Sequence, residues 1–363
     1  MEKSEVTFLS YDVEKGTHRS AAEEWQPHRA QSDRAFEWWY VTSLVNDVAG
    51  TPYFLFWCVF HSSGKRHLEE QLPPEVAAQI TPGQSAYVCL FTLTNYQTGA
   101  RAEAPVMFIM QDNDVWHDDT STLHLHDAQH ERECAWSFDG EQLHLMTKSP
   151  ALTFDLHMRG GSQVMWAKDH LGKEGLIQEG AEGDYSFYYS LPRLQITGSI
   201  SYTDESKQPI TAEVGGSGWI DRQWGDFMTR QWEWASFRFN NGARMNLYNF
   251  YNGYQVATYQ KADGSTQWFD NFVVKQNGYA KTPAGTWVSH GWSYEFPIEV
   301  EGSQRYTLVP FSKLDMIDLR EDSFFEGPSH LIDDTTGKHV GISVNESMDV
   351  RAMGNAPYGP HQR

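Results

Sequence analysis

Short runs of β-branched and aromatic residues, each closed by a turn-forming cluster, recur along nearly the whole chain. No helix-period segment of comparable length competes with them. Residues 38–44 and 53–61 are two such runs, and the intervening Asn46-Asp47-Val48-Ala49-Gly50-Thr51-Pro52 makes them a hairpin. The rhythm returns at 85–95, 106–111, 135–138, 142–147 and 152–158. In Leu143-His144-Leu145-Met146 and Leu152-Thr153-Phe154-Asp155-Leu156 every second side chain faces one side, the period of a half-buried strand. A second series covers 188–202, 228–239, 243–251, 254–260, 266–275, 286–288, 294–300 and 341–344, with Asn240-Asn241-Gly242 and Ala262-Asp263-Gly264 as turns. Short helices are expected only at 74–79 and 312–319.

This pattern specifies an all-β protein. At 363 residues the chain exceeds the usual size of one core. The two strand series flank a long glycine- and charge-rich loop at 159–186. The expected organisation is an N-terminal arm (1–35), a first antiparallel barrel with the linking loop (36–186) and a second barrel (187–363). Closure into barrels would remove exposed strand edges, and a barrel of about eight strands can hold one small ligand. The 14% aromatic content suits broad strand surfaces and an aromatic-lined cavity alike.

The formal charge of −20 makes association with a phosphate backbone unfavourable, which sets nucleic acid aside as a partner. Cys58, Cys89 and Cys134 match no zinc spacing and read as reduced core thiols. The opening Met1-Glu2-Lys3-Ser4-Glu5 leads into polar sequence without an apolar signal region. The longest apolar run, 53–60, is far shorter than the ~20 residues that span a bilayer, so a cytoplasmic protein is expected. Neither a Walker A sequence nor a dinucleotide fingerprint occurs, and no cofactor is expected. In Gly215-Gly216-Ser217-Gly218-Trp219 the tryptophan occupies the last position of a would-be nucleophile elbow. His124-Leu125-His126, with His117, His130 and Glu131 nearby, offers metal-ligand types, but no second half-motif follows. Surface histidines, and no metal, are the expectation.

Four stretches carry a more specific signal. They are Glu37-Trp38-Trp39-Tyr40-Val41-Thr42; Tyr188-Tyr189-Ser190-Leu191-Pro192-Arg193-Leu194 followed by Ile196-Thr197-Gly198; Gly218-Trp219-Ile220-Asp221-Arg222-Gln223-Trp224-Gly225 continued by Trp232-Glu233-Trp234-Ala235-Ser236-Phe237 and Asn241-Gly242; and Phe325-Glu326-Gly327 with Val344-Asn345-Glu346. In order and spacing the chain resembles the lipocalin-like family of carotenoid 1,2-hydratases, AttH-type proteins and fungal kievitone-hydratase-like enzymes over residues 36–346. The resemblance implies two lipocalin-like β-barrel halves packed together. It also implies addition of water to isoprenoid double bonds or, in a fungal branch, Diels-Alder cyclisation. It carries the family's essential aspartate onto Asp221, with Trp219 where carotenoid hydratases tend to have tyrosine. The His and Trp of that branch are absent at Tyr188 and Tyr189, which points to an apolar substrate other than a carotenoid.

Hydrating an alkene requires an acid that protonates carbon. Asp221 fits if Trp219, Trp224 and Trp232 desolvate it and raise its pKa, while aromatic faces stabilise the developing cation. The adjacent Arg222 opposes this, since a pair with Asp221 would be a structural clamp. Glu37, on one strand face with Trp39 and opposite Trp38 and Tyr40, is a second candidate acid or base. Its alternative is a buried partner for Arg193 or Arg222. Tyr189 completes the candidate catalytic set; Trp39, Tyr188, Trp219, Arg222, Trp224, Trp232 and His290 form the candidate substrate-binding set. The leading expectation is a cofactor-independent hydratase or dehydratase acting on an apolar isoprenoid or polyene substrate by general acid catalysis. The alternatives are a pericyclase that folds a polyene in a shaped cavity and a non-catalytic carrier of an apolar ligand.

Overall fold

The computed structural model describes residues 20–28, 35–62, 74–78, 80–117, 121–160, 163–169, 172–178, 184–204, 206–227, 231–318 and 323–350. Most of the arm expected at 1–35 therefore lies outside the described residues, as do residue 79 of one expected helix, residue 319 of the other, and residues 228–230. Within the described residues the chain is almost wholly antiparallel β, as its strand-and-turn rhythm requires.

Two compact units form. The first comprises Met1–Trp166, Lys173–Leu176 and Tyr185–Met228; the second comprises Ala167–Gly172, Ile177–Asp184 and Thr229–Arg363. The division expected at 186/187 falls inside the 19-residue strand Tyr185–Thr203. That strand pairs with Leu152–Arg159 and Pro209–Asp226, and Pro209–Asp226 pairs with Ala35–Asp47. The hairpin 185–226 is thereby built into the first unit's sheet, and the units divide after Met228 instead.

The sheet of the first unit has 14 strands and curls around its core. Its central order runs Gln84–Asn95, Pro52–Ser62, Ala35–Asp47, Pro209–Asp226, Tyr185–Thr203, Leu152–Arg159, Gln142–Lys148, Arg132–Phe138. Alternate residues of these strands, among them Trp39, Trp57, Trp136, Leu145, Phe154 and Ile220, meet in one apolar cluster. The strand Pro209–Asp226 is absent from the strands expected from sequence, because its glycines resemble a turn. They are instead close-approach positions: a Cβ on Gly216 would press against the Leu44 carbonyl oxygen, and one on Gly225 against that of Tyr185. Gly216→Ala is expected to cost about 1–3 kcal/mol in chemical denaturation, since the neighbouring strand must shift. An unchanged denaturation midpoint would show that the strands part without strain.

The second unit holds a 10-stranded sheet in the order Thr266–Phe269, Gln255–Gln260, Arg244–Phe250, Trp232–Phe239, Lys338–Ser347, Phe324–Asp333, Ser303–Pro310, Trp292–Val300, Val273–Gln276. Phe237, Phe239, Tyr294, Phe296 and Tyr306 make an edge-to-face aromatic core within it. The short helix expected at 74–79 forms over Pro74–Ala77. No helix forms over the described part of 312–319: Met316–Ile317 pairs with Phe324–Asp333, and Glu326 N–H donates to the Asp315 carbonyl, so this backbone is satisfied by the sheet. Cys58, Cys89 and Cys134 are buried and form no disulfide. No helix among the described residues is long and apolar enough to cross a membrane.

Candidate active site

Strand register decides which signature residues meet. Asp221 lies opposite Tyr40 on one side and Ser190 on the other, while Arg222 lies opposite Trp39 and Tyr189. Directly opposed residues share a face and successive residues alternate. Asp221, Trp219, Tyr188, Ser190, Tyr40 and Trp38 therefore occupy one face of the sheet. Glu37, Trp39, Tyr189, Arg222 and Trp224 occupy the other, the face of the first unit's core. The Asp221–Arg222 clamp does not form, because neighbours in an extended strand point apart. Trp224, expected to desolvate Asp221, is likewise on the opposite face, where it stacks on the His28 imidazole at 4.0 Å.

On the first face the Asp221 carboxyl is buried. Its Oδ1 accepts hydrogen bonds from Ser190 Oγ at 2.5 Å and Trp219 Nε1 at 2.8 Å. The Tyr188 hydroxyl lies 3.4 Å from Ser190 Oγ, extending the polar group along the strand. Aromatic rings border it: Tyr40 meets Phe56 edge-on at 5.5 Å, and Trp38 meets Phe227 edge-on at 5.7 Å. All the polar members are buried, so their dipoles act with little competition from solvent. Ser190 is the member that the sequence reading missed. Its signal was its place two residues after Tyr188 in a strand, which puts both on one face.

The core face holds a chain of carboxylates and imidazoles. Glu37 Oε1 accepts from the His28 backbone N–H at 3.0 Å and lies 2.5 Å from His61 Nδ1. Glu37 Oε2 is 3.2 Å from Arg222 Nη2 and 3.3 Å from His28 Nδ1. His28 Nε2 reaches Glu24 at 3.2 Å, and His61 stacks on Tyr87, whose hydroxyl donates to Asp112. Burial opposes ionisation of Glu37, but the hydrogen bonds from His28 and His61 and the charges of His61 and Arg222 outweigh it and hold the carboxyl well below its usual range. Arg222 also donates to the carbonyls of Trp38, Trp25 and Gln26, and its guanidinium sits 4.2 Å over the Trp39 ring. The arginine thus fastens residues 24–26 to the sheet. Tyr189 donates to the Ala21 carbonyl, and burial pushes its phenol well above the ordinary range, so it is a neutral donor.

Trp232 and His290 belong to the second unit. Trp232 packs edge-on to Tyr248 at 5.9 Å. His290 is half-buried, with Nε2 3.0 Å from the Ser312 carbonyl and its pKa lowered by burial. The sequence reading also passed over Glu233, a fully buried carboxylate accepting from Trp292 Nε1 at 2.9 Å and Gln276 Nε2 at 2.8 Å. Of the histidines weighed as metal ligands, His124 pairs with Glu133 and His130 with Asp127.

A chain of two antiparallel units, with a curled sheet carrying a buried aspartate on its longest hairpin, falls in the lipocalin-like class of all-β proteins. The model of the AttH-like family matches residues 14–343, and the chain belongs to that family. No curated protein matches it. Among solved structures it is similar to a protein assigned as an AttH from Nitrosomonas europaea, at 17% identity and a TM-score of 0.68, covering 87% of this chain and 93% of that one. It is also similar to kievitone hydratase from Nectria haematococca, at 14% identity and a TM-score of 0.62, covering 96% of this chain and 97% of that one. At these identities the likeness is one of fold.

Proposed function

We propose that the protein is a hydratase-type enzyme that adds water to, or removes it from, an apolar alkene of isoprenoid or polyene type, with Asp221 as the proton donor. The observation that carries this reading is the convergence of Ser190 Oγ and Trp219 Nε1 on a single oxygen of a buried carboxyl. In this proposal the carboxyl starts neutral, as its burial favours and the two donors oppose, with Oδ1 as the carbonyl-type oxygen and the acid proton on Oδ2. When that proton moves to an alkene carbon, both donors are already aimed at the carboxylate that forms. Aromatic faces such as Tyr40 and Trp38 suit the cation left on the neighbouring carbon. Water then adds to the cation and its proton returns to Asp221, so the acid is regenerated and the reverse sequence dehydrates. Glu37 is a poor candidate for the acid, since its partners keep it ionised and it faces the core. A hydratase among the proteins of like fold supports the same class of reaction.

The test is incubation with a panel of prenylated and polyene alkenes in D2O. The expected product carries a new hydroxyl and one solvent-derived deuterium on carbon. An isomer of unchanged mass without deuterium would replace this reading with a cyclase. An alkene bound stoichiometrically and recovered intact would replace it with a carrier.

A further inference from the structure

We propose that His144, Asp155 and His157 form a surface site for one borderline divalent cation of the copper(II), nickel(II) or zinc(II) kind. His144 lies on Gln142–Lys148 and the other two on Leu152–Arg159, adjacent antiparallel strands whose register sets His144 directly opposite His157. Their imidazole rings are parallel within 6°, with centroids 4.4 Å apart. Asp155, two residues before His157, shares their face and places Oδ1 2.8 Å from His144 Nε2 and 3.9 Å from His157 Nε2. The three prospective ligand atoms all lie within 4.8 Å of one another.

Metal–ligand bonds of about 2.0–2.2 Å place neighbouring ligand atoms about 3–3.5 Å apart. The two Asp155 separations bracket that range, and because the stacked imidazoles direct their lone pairs side by side, the rings must also turn for both nitrogens to converge on one ion. All three residues are exposed enough to make these rotations, while Leu143, Leu145, Leu156 and Met158 on the same strands are locked in the core. The backbone beneath the site is therefore rigid and its ligands adjustable. Two imidazoles and one carboxylate suit borderline cations; calcium and magnesium want oxygen ligands instead. Binding would replace the hydrogen bond between His144 and Asp155, and solvent would complete the coordination. The ion would clip two strands together on the solvent side.

The test is titration of untagged protein with each metal salt, read by calorimetry and, for copper, by electron paramagnetic resonance. One equivalent is expected to bind, copper most tightly, with nitrogen splitting from two imidazoles and no response to magnesium or calcium. His157→Ala is expected to weaken binding at least about tenfold and to remove one nitrogen from the spectrum. A His124→Ala/His126→Ala variant should match the parent. Absence of stoichiometric binding, unchanged affinity in His157→Ala, or a loss that follows His124 and His126 would each overturn the assignment.

Discussion

Asp221→Asn is expected to lower kcat/KM for hydration by about 10²–10⁴-fold, the usual contribution of a positioned general acid, while leaving the thermal midpoint near that of the parent. The amide is close in shape to the carboxyl and its oxygen still accepts from Ser190 and Trp219, so the local hydrogen bonding survives and only the transferable proton is lost. Ser190→Ala and Trp219→Phe each remove one donor to the oxygen that becomes anionic. A hydrogen bond to a charged group is worth about 1.5–3 kcal/mol, so each should cost about 10- to 100-fold, in kcat more than in KM. Steady-state kinetics on any alkene that gives the deuterated product measures all three. Retention of hydration by Asp221→Asn would remove the acid from this residue. Equal losses in all three variants would mean that the donors hold the site's shape and do not answer its charge.

Much of this arrangement was legible in the sequence, and what was not has physical causes. Period-2 patterning correctly separated Glu37 and Trp39 from Trp38 and Tyr40, because strand alternation is a local property of the chain. The same rule separates Asp221 from Arg222, yet adjacency in the signature suggested a pair. Glu37, weighed from sequence as a buried partner for Arg193 or Arg222, lies 185 residues from Arg222 and is brought to it by strand register. His28 and His61 were hidden, since they reach Glu37 from a described stretch of the N-terminal arm and from the next strand of the sheet. Gly216 and Gly225 look like turn residues in sequence but serve as contact points between strands. The hairpin that carries Asp221 was consequently assigned to the second half, although its pairing places it in the first unit.

Replacing Glu37 with glutamine is expected to destabilise the protein by about 3–5 kcal/mol, the range for removing one partner of a buried ion pair. The guanidinium of Arg222 then stays buried without its counter-charge, and the imidazoles of His28 and His61 lose an anionic acceptor. Carbonyl acceptors from Trp25, Gln26 and Trp38 and the Trp39 ring soften the loss for Arg222. A Glu37→Gln/Arg222→Met double variant should therefore cost less than the sum of the two singles, which denaturation curves read as a coupling energy. The pH dependence follows from the depressed carboxyl. Its folded-state pKa lies below the ordinary value of 4.5, so its stabilising contribution is fully present above that value and is lost as pH falls through the range beneath it. The acid limb of the parent's stability curve should fall more steeply than that of Glu37→Gln. At neutral pH and low temperature, where the variant is still folded, its turnover per folded molecule should stay near the parent's, because Glu37 and Asp221 face opposite sides of the sheet. A large loss of kcat with unchanged stability would instead place Glu37 in the chemistry, joined to Asp221 through the one strand that carries both Asp221 and Arg222.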